Sequence, residues 1–209
     1  MNQYDTMKNM NTINNKQKEY LSLNFKELNA ASQTFEDIEF DSCTFHESDF
    51  SDVTFKKCKF IECHFEKCNL SNCKLEYSKF SDVTFNECKL IGIDWTLVAW
   101  PSLSLPSPIR FNKCIINDSS FYGLNLQEIV IEESKAHDVD FREGDFSKAN
   151  FCHTDFTNSL FIASDLSHAD FSGAENYNID INLNKIQGAR FSRYEAINLL
   201  YSLDIELVD

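Results

Sequence analysis

Residues 43–72 read CTFHE SDFSD VTFKK CKFIE CHFEK CNLSN, six blocks of five whose third residue is always Phe or Leu. Extended outward, the period places Phe35, Phe40, Phe45, Phe50, Phe55, Phe60, Phe65, Leu70, Leu75, Phe80, Phe85, Leu90 and Trp95 on one phase. A second series, one residue out of phase, starts at Phe111. It runs through Ile116, Phe121, Leu126, Ile131, Ala136, Phe141, Phe146, Phe151, Phe156, Phe161, Leu166 and Phe171, then more weakly through Ile181 and Ile186 to Phe191. All 19 Phe of the 209-residue chain fall on these two phases. Ten Phe sharing one of five phases would arise by chance about once in a million. A helix repeats near 3.6 and a strand near 2, so a period of five belongs to neither alone.

The position two before each centre is compact. It holds Cys43, Cys58, Cys63, Cys68, Cys73, Cys88 and Cys114, and elsewhere Ser, Thr, Ala, Val or Ile, with Leu124 and Gly144; only Cys152 of the eight cysteines lies off this phase. One large and one small inward position in five require a backbone that turns a corner every five residues. The other three positions are mostly Ser, Asp, Asn, Lys or Glu and point outward. Cys at such a site is a small hydrophobe, and its C-x4-C spacing is not that of a zinc or redox motif.

Composition agrees with that reading. Gly occurs 5 times and Pro 3, against roughly 15 and 10 for average usage. A hairpin-rich sandwich built on Gly turns is thereby disfavoured, as are collagen-like and disordered classes. Acids outnumber bases 33 to 19, a net charge of −14. Such a chain repels nucleic acid and anionic lipid. Residues 1–20 carry no signal-peptide pattern, and no stretch has the ~18 apolar residues of a membrane span. The expected location is the cytoplasm. All five His lie at outward phases, with no H-E-x-x-H, G-x-S-x-G or phosphate-loop motif nearby. No enzyme activity, cofactor, metal or small-molecule substrate is expected.

Blocks such as CTFHE, CKFIE, ANFCH and ADFSG, dense over residues 33–173, resemble the A(D/N)LXX repeats of the pentapeptide-repeat family. That resemblance implies an all-β solenoid, a right-handed quadrilateral β-helix with four pentapeptides per coil and the centres stacked inside. Phe45, Phe60, Phe65, Phe121, Phe151 and Phe161 are then core. Coils stacked at ~4.8 Å make a rod of about eight coils and roughly 40 Å.

Three segments are expected: a flexible N-terminal segment 1–19, the β-helix 20–191, and a C-terminal module 192–209. In the last, Ser192-Arg193-Tyr194-Glu195 has the form of a capping box, followed by Ala196, Leu199, Leu200 and Leu203 at helical spacing. Asp204 to Asp209 alternates like a strand. This module either caps the solenoid or pairs with a twin through Leu199, Leu200, Leu203, Ile205 and Leu207. The phase shift falls at about 105–111. Trp100 and Leu105 keep the old phase, so a single extra residue within 105–110 is expected, a short bulge rather than a loop.

The stretches GIDWTLVAWP (92–101), CIINDSSFYGL (114–124), NYNIDI (176–181) and ARFSRYEAINLLYSLDIELVD (189–209) resemble albicidin-resistance members of the family. More distantly, the chain is similar to its microcin-immunity and quinolone-resistance members. This implies a homodimeric rod that binds DNA gyrase or topoisomerase IV and protects it from a topoisomerase poison, without touching nucleic acid or membrane. Quinolone-resistance members carry projecting loops, which a one-residue shift does not provide.

Residues 30–191 hold 26 acids and 14 bases, about one net charge per 3 Å of rod, roughly half the density of B-DNA. Asp118 and Asp138, and Asp145 and Asp165, lie one coil apart. Like charges facing across neighbouring strands are destabilising, which marks these four as a candidate partner-binding surface. The rival reading is a structural or adaptor β-helix for some other protein.

Overall fold

A computed structural model describes residues 8–101, 108–203 and 205. The chain winds as a β-solenoid of about eight coils. Parallel strands pair in a register of twenty residues: Phe25 with Phe45, Phe45 with Phe65, Phe65 with Phe85, and Phe40 with Phe60. Twenty residues at five per corner make four faces, and the centre residues stack within each face. On the longest ladder Phe25, Phe45, Phe65 and Phe85 are followed by Phe111 and Ile131. Phe45, Phe60, Phe65, Phe121, Phe151 and Phe161 are all buried, as expected.

Rings one coil apart stack, as in Phe45–Phe65 at 4.6 Å and 12° and Phe121–Phe141 at 5.3 Å and 4°. Rings on adjacent faces meet edge to face, as in Phe55–Phe60 at 5.1 Å and 90°. Both arrangements suit the aromatic quadrupole. Phe thus fills the axis in two directions.

Most corners are made without glycine, although Gly92, Gly123, Gly173 and Gly188 occupy four of them. Among the described residues 26 non-glycine residues have positive φ, between 48° and 62°, and they recur at every fifth position. A left-handed non-glycine residue costs about 1–2 kcal/mol. Most are held there by the ladder, the amide donating to a carbonyl one coil on, as Asp52 does to Ser71 at 2.9 Å and Asp138 to Thr157 at 2.9 Å.

The compact inward residues do more than fit. The thiols of Cys63, Cys73 and Cys114 donate to the centre carbonyls of Phe40 (3.3 Å), Phe50 (2.9 Å) and Phe85 (3.3 Å) one coil earlier. Ser78 and Ser164 hydroxyls bond Phe55 and Phe141 carbonyls in the same way, at 3.0 and 2.9 Å. Interchange of Cys, Ser and Thr here follows from that shared donor. Burial pushes the Cys58 thiol up to about 11, which keeps it protonated and unreactive. At Gly144 even a methyl group is too large, since a Cβ would lie 2.4 Å from the Phe146 ring.

Four expectations are corrected. The ladder begins before residue 20, because Lys8–Met10 forms a strand paired with Leu23, Asn24 and Phe25. The break is not a one-residue bulge. Across it Val83 pairs with Ile109 and Lys89 with Ile115, 26 residues apart instead of 20, so six residues are inserted. The old ladder lasts to Ala99, whose amide bonds Ser78, and the new one resumes at Pro108, whose carbonyl accepts from Val83. Trp100, assigned to the old phase, leaves the ladder half-buried, its indole N–H on the Trp95 carbonyl at 3.0 Å; Leu105 lies outside the described residues.

Near the C-terminal end Ile179 rather than Ile181 pairs with Phe161, two residues short of the period, and Ile179 is the buried one. Finally, Glu195–Leu203 is a 3-10 helix, and its supposed capping box serves the coil below. Ser192 Oγ accepts from the Gly173 amide at 2.6 Å and Glu195 Oε2 from the Asn176 amide at 3.4 Å. These two side chains replace the carbonyls that a further coil would supply. The expected strand at 204–209 lies, except for Ile205, outside the described residues.

Candidate protein-interaction surface

The four candidate acids divide into two kinds. Asp145 and Asp165 are bridged neighbours on consecutive coils, but each carboxylate is engaged. Their Oδ1 atoms accept from the Ser147 and Ser167 amides, both at 3.0 Å, two residues on. Gln127 Nε2 reaches Asp145 Oδ2 at 2.6 Å, and Lys185 Nζ reaches Asp165 Oδ2 at 3.1 Å. Burial raises the Asp165 pKa, but the hydrogen bonds from Ser167 and the Lys185 ammonium outweigh it and hold the carboxyl below its usual range. Asp49, Asp140, Asp155 and Asp170 make the same two-residue turn. Asp before the centre is therefore a turn device, which offsets the repulsion between stacked like charges.

Asp118 and Asp138 are different. They occupy left-handed corners, with φ of 57° and 56°, and are exposed. Their amides hold the ladder while the carboxylates face outward. The same corner reads Asp52, Asn72, Gly92, Asp118, Asp138, Asn158 along the rod, without a cation. Elsewhere bases are drawn onto acids one coil away: Lys56–Glu36 at 3.0 Å, Lys59–Glu39 at 2.8 Å, Lys148–Glu128 at 3.2 Å, Arg190–Asp170 at 2.8 Å, and Arg110 on Asp82. Cross-coil pairing leaves the acids in excess, and Asp118 and Asp138 belong to that excess.

Sequence reasoning missed an adjoining apolar ridge. Tyr77 is 67% exposed, Leu97 45% and Tyr122 41%. The signal was present, since these are large apolar residues on outward phases that otherwise hold polar side chains. At the C-terminal end, Leu199 packs on the core and Leu200 is half-buried, whereas Leu203 and Ile205 are exposed. Leu207 lies outside the described residues.

Concavities are shallow. One face carries a polar trough of about 440 Å³ lined by Asn24, Lys26, Thr44, His46, His64, Glu66 and Asn86. Among the described residues no group of three or more His, Cys, Asp or Glu is placed to hold a metal ion, and no helix is long and apolar enough to cross a membrane.

The rod superposes on a trypsin-treated variant of QnrB1, a plasmid-mediated fluoroquinolone resistance protein. The TM-score is 0.70, with 17% identity over 91% of this chain and 90% of that one. A second trypsin-treated QnrB1 variant gives 0.65 and 17% identity over 92% of each chain. HetL, a pentapeptide repeat protein involved in heterocyst differentiation regulation in the cyanobacterium Nostoc, gives 0.42 and 13% identity over 83% of this chain and 87% of its own. No curated protein sequence matches the chain. At 17% identity the two QnrB1 superpositions speak to the fold. The family model of the pentapeptide repeat region matches residues 38–107 and 98–171, well over half the chain. With its twenty-residue coil, stacked Phe centres and left-handed corners, the chain belongs to the pentapeptide-repeat family.

Proposed function

We propose that this rod is a protein partner of a type II topoisomerase, DNA gyrase or topoisomerase IV, and protects it from a poison that traps the cleaved-DNA complex. The observation that carries the reading is the exposed acidic corner at Asp118 and Asp138 on a rod with net charge −14. An enzyme that grips DNA presents a basic channel. A rigid acidic rod can occupy that channel as a protein substitute for the duplex, with affinity that falls as salt rises. Because the rod has about half the linear charge of B-DNA, it competes weakly and DNA can displace it. This suits a protector better than an inhibitor.

The likeness to a fluoroquinolone resistance protein supports this reading. So does the six-residue insertion, which removes the objection that the chain lacks room for a projecting loop. The exposed C-terminal apolar residues Leu203 and Ile205 suit a homodimer contact. The site of action is the cytoplasm, where the topoisomerase is.

The test is a gyrase supercoiling assay against a panel of poisons that includes albicidin, a fluoroquinolone and microcin B17. At least one poison should lose potency when the protein is added. Absence of rescue across the panel, together with absence of binding to gyrase and to topoisomerase IV, would overturn the proposal.

A further inference from the structure

The apolar ridge and the acidic corner bound the same face of the rod. Tyr77, Leu97 and Gly123 follow one another along one edge, the Tyr77 amide bonding the Leu97 carbonyl at 2.9 Å, and Tyr122 adjoins Gly123. Asp118 and Asp138 stand on the opposite edge, one corner earlier in the same coils. Between the edges run residues 94–96, 120–122 and 140–142, aligned by the Asp94–Ser120 and Ser120–Asp140 bridges.

Tyr77 has φ of 55°. The ladder sets that conformation here, as at most corners, so the backbone is accounted for; the fold makes no use of the ring, which is largely exposed and, among the described residues, stacks on no neighbouring ring. The space above Gly123 is open, with no atom within 4 Å of where a Cβ would stand. An apolar side chain from a partner could enter beside Tyr122 at that point.

The charges select the partner. Arg142 is the base in the centre of this face, and it is held by both oxygens of Asp140 at 2.9 and 2.7 Å while lying 5.7 Å from the Tyr122 ring. Around it Glu76, Asp94, Asp118, Asp138 and Glu143 outnumber Lys74 and, one coil before Glu76 and Tyr77, Lys56 and Lys57. A surface that is apolar on one edge and anionic on the other complements a cationic surface bearing an apolar side chain.

We infer that this face, bounded by Tyr77, Leu97 and Tyr122 on one side and Asp118 and Asp138 on the other, docks the basic DNA-binding surface of a protein partner through an apolar anchor. Identification of that partner as a type II topoisomerase rests on the function proposed above.

The experiment measures equilibrium binding of full-length protein to purified gyrase and topoisomerase IV holoenzymes and, separately, to an amphipathic peptide of alternating Lys and Leu. Variants are Tyr77→Asn, Leu97→Ser, the pair Asp118→Asn with Asp138→Asn, and Glu87→Asn as a matched control at an exposed corner on the opposite face. Tyr77→Asn should melt no lower than the parent yet bind the topoisomerase at least tenfold more weakly. A purely structural tyrosine would move both together. Leu97→Ser should also lose about tenfold, the aspartate pair should flatten the salt dependence, and Glu87→Asn should bind like the parent. Binding of Tyr77→Asn and Leu97→Ser within twofold of the parent, or an equal loss in Glu87→Asn, overturns the docking face while leaving the topoisomerase reading intact. If the parent binds neither gyrase nor topoisomerase IV, that reading fails and the peptide decides the face. At least fivefold tighter binding by the parent than by Tyr77→Asn supports the docking face, and equal binding overturns it.

Discussion

Replacing Phe60 with alanine removes a ring that touches four others. Phe60 is buried and stacks between Phe40 at 5.2 Å and Phe80 at 5.0 Å. It meets Phe55 edge to face at 5.1 Å and Phe65 tilted at 5.8 Å. A buried Phe→Ala change costs about 3–5 kcal/mol, and each well-placed aromatic pair adds ~0.5–1.5 kcal/mol beyond its buried area. Four pairs place Phe60 at the upper end, about 5 kcal/mol. For a chain of this size, 1 kcal/mol moves Tm by about 2–4 °C, so the expected loss is about 10–20 °C. Phe60→Leu is the internal comparison, because Leu70, Leu75 and Leu90 occupy equivalent centres. It should cost no more than about 1–2 kcal/mol. Thermal and denaturant unfolding followed by circular dichroism at one fixed protein concentration measures both. Because each coil rests only on its neighbours, the alanine variant should also unfold over a broader range. A Tm within about 4 °C of the parent for Phe60→Ala would refute the stacked core.

Two further outcomes follow from the described contacts. Burial raises the Asp155 pKa, but hydrogen bonds from Asn176, Thr157 and His137 outweigh it and hold the carboxyl at about 2. A pKa depressed in the folded state contributes stability that is present above the unfolded value of about 3.9 and is lost as pH falls toward 2. Asp155→Asn should therefore reduce the fall in stability between pH 4 and 2, and an unchanged pH profile in acid unfolding would contradict this. Removal of residues 192–209 takes away the acceptors of the Gly173 and Asn176 amides and exposes the last coil. The product should sediment as a monomer or aggregate, whereas an unchanged dimer mass would eliminate the C-terminal contact.

The period was legible because it is written in side-chain size, one large and one compact residue in every five. Its phase was a poorer guide to insertions. A five-residue period registers extra residues only modulo five, so one inserted residue and six leave the same offset between Trp95 and Phe111. Only the pairing of Val83 with Ile109 separates the two. The capping box misled for a related reason. Ser192 and Glu195 have the right spacing to close their own helix, but the amides at Gly173 and Asn176 are the ones left without a following coil. The shift from Ile181 to Ile179 is local: one face closes two residues early, Tyr177 and Ile179 are buried there, and the register of twenty returns at Lys185 and Phe191.

The candidate site divided along the same line. Stacked aspartates could be found by spacing alone, yet spacing cannot tell a carboxylate that holds the amide two residues on from one that faces solvent. Asp145 and Asp165 are the former and Asp118 and Asp138 the latter. Sequence by itself determined the solenoid, its inward residues and its negative charge, since these follow from a local repeat that every coil restates. The tertiary structure alone decided where the coil is interrupted, which acids remain free and which apolar side chains share a face with them. Those properties depend on which residues lie one coil apart, and that neighbour is set by the winding of the chain and not by distance along it.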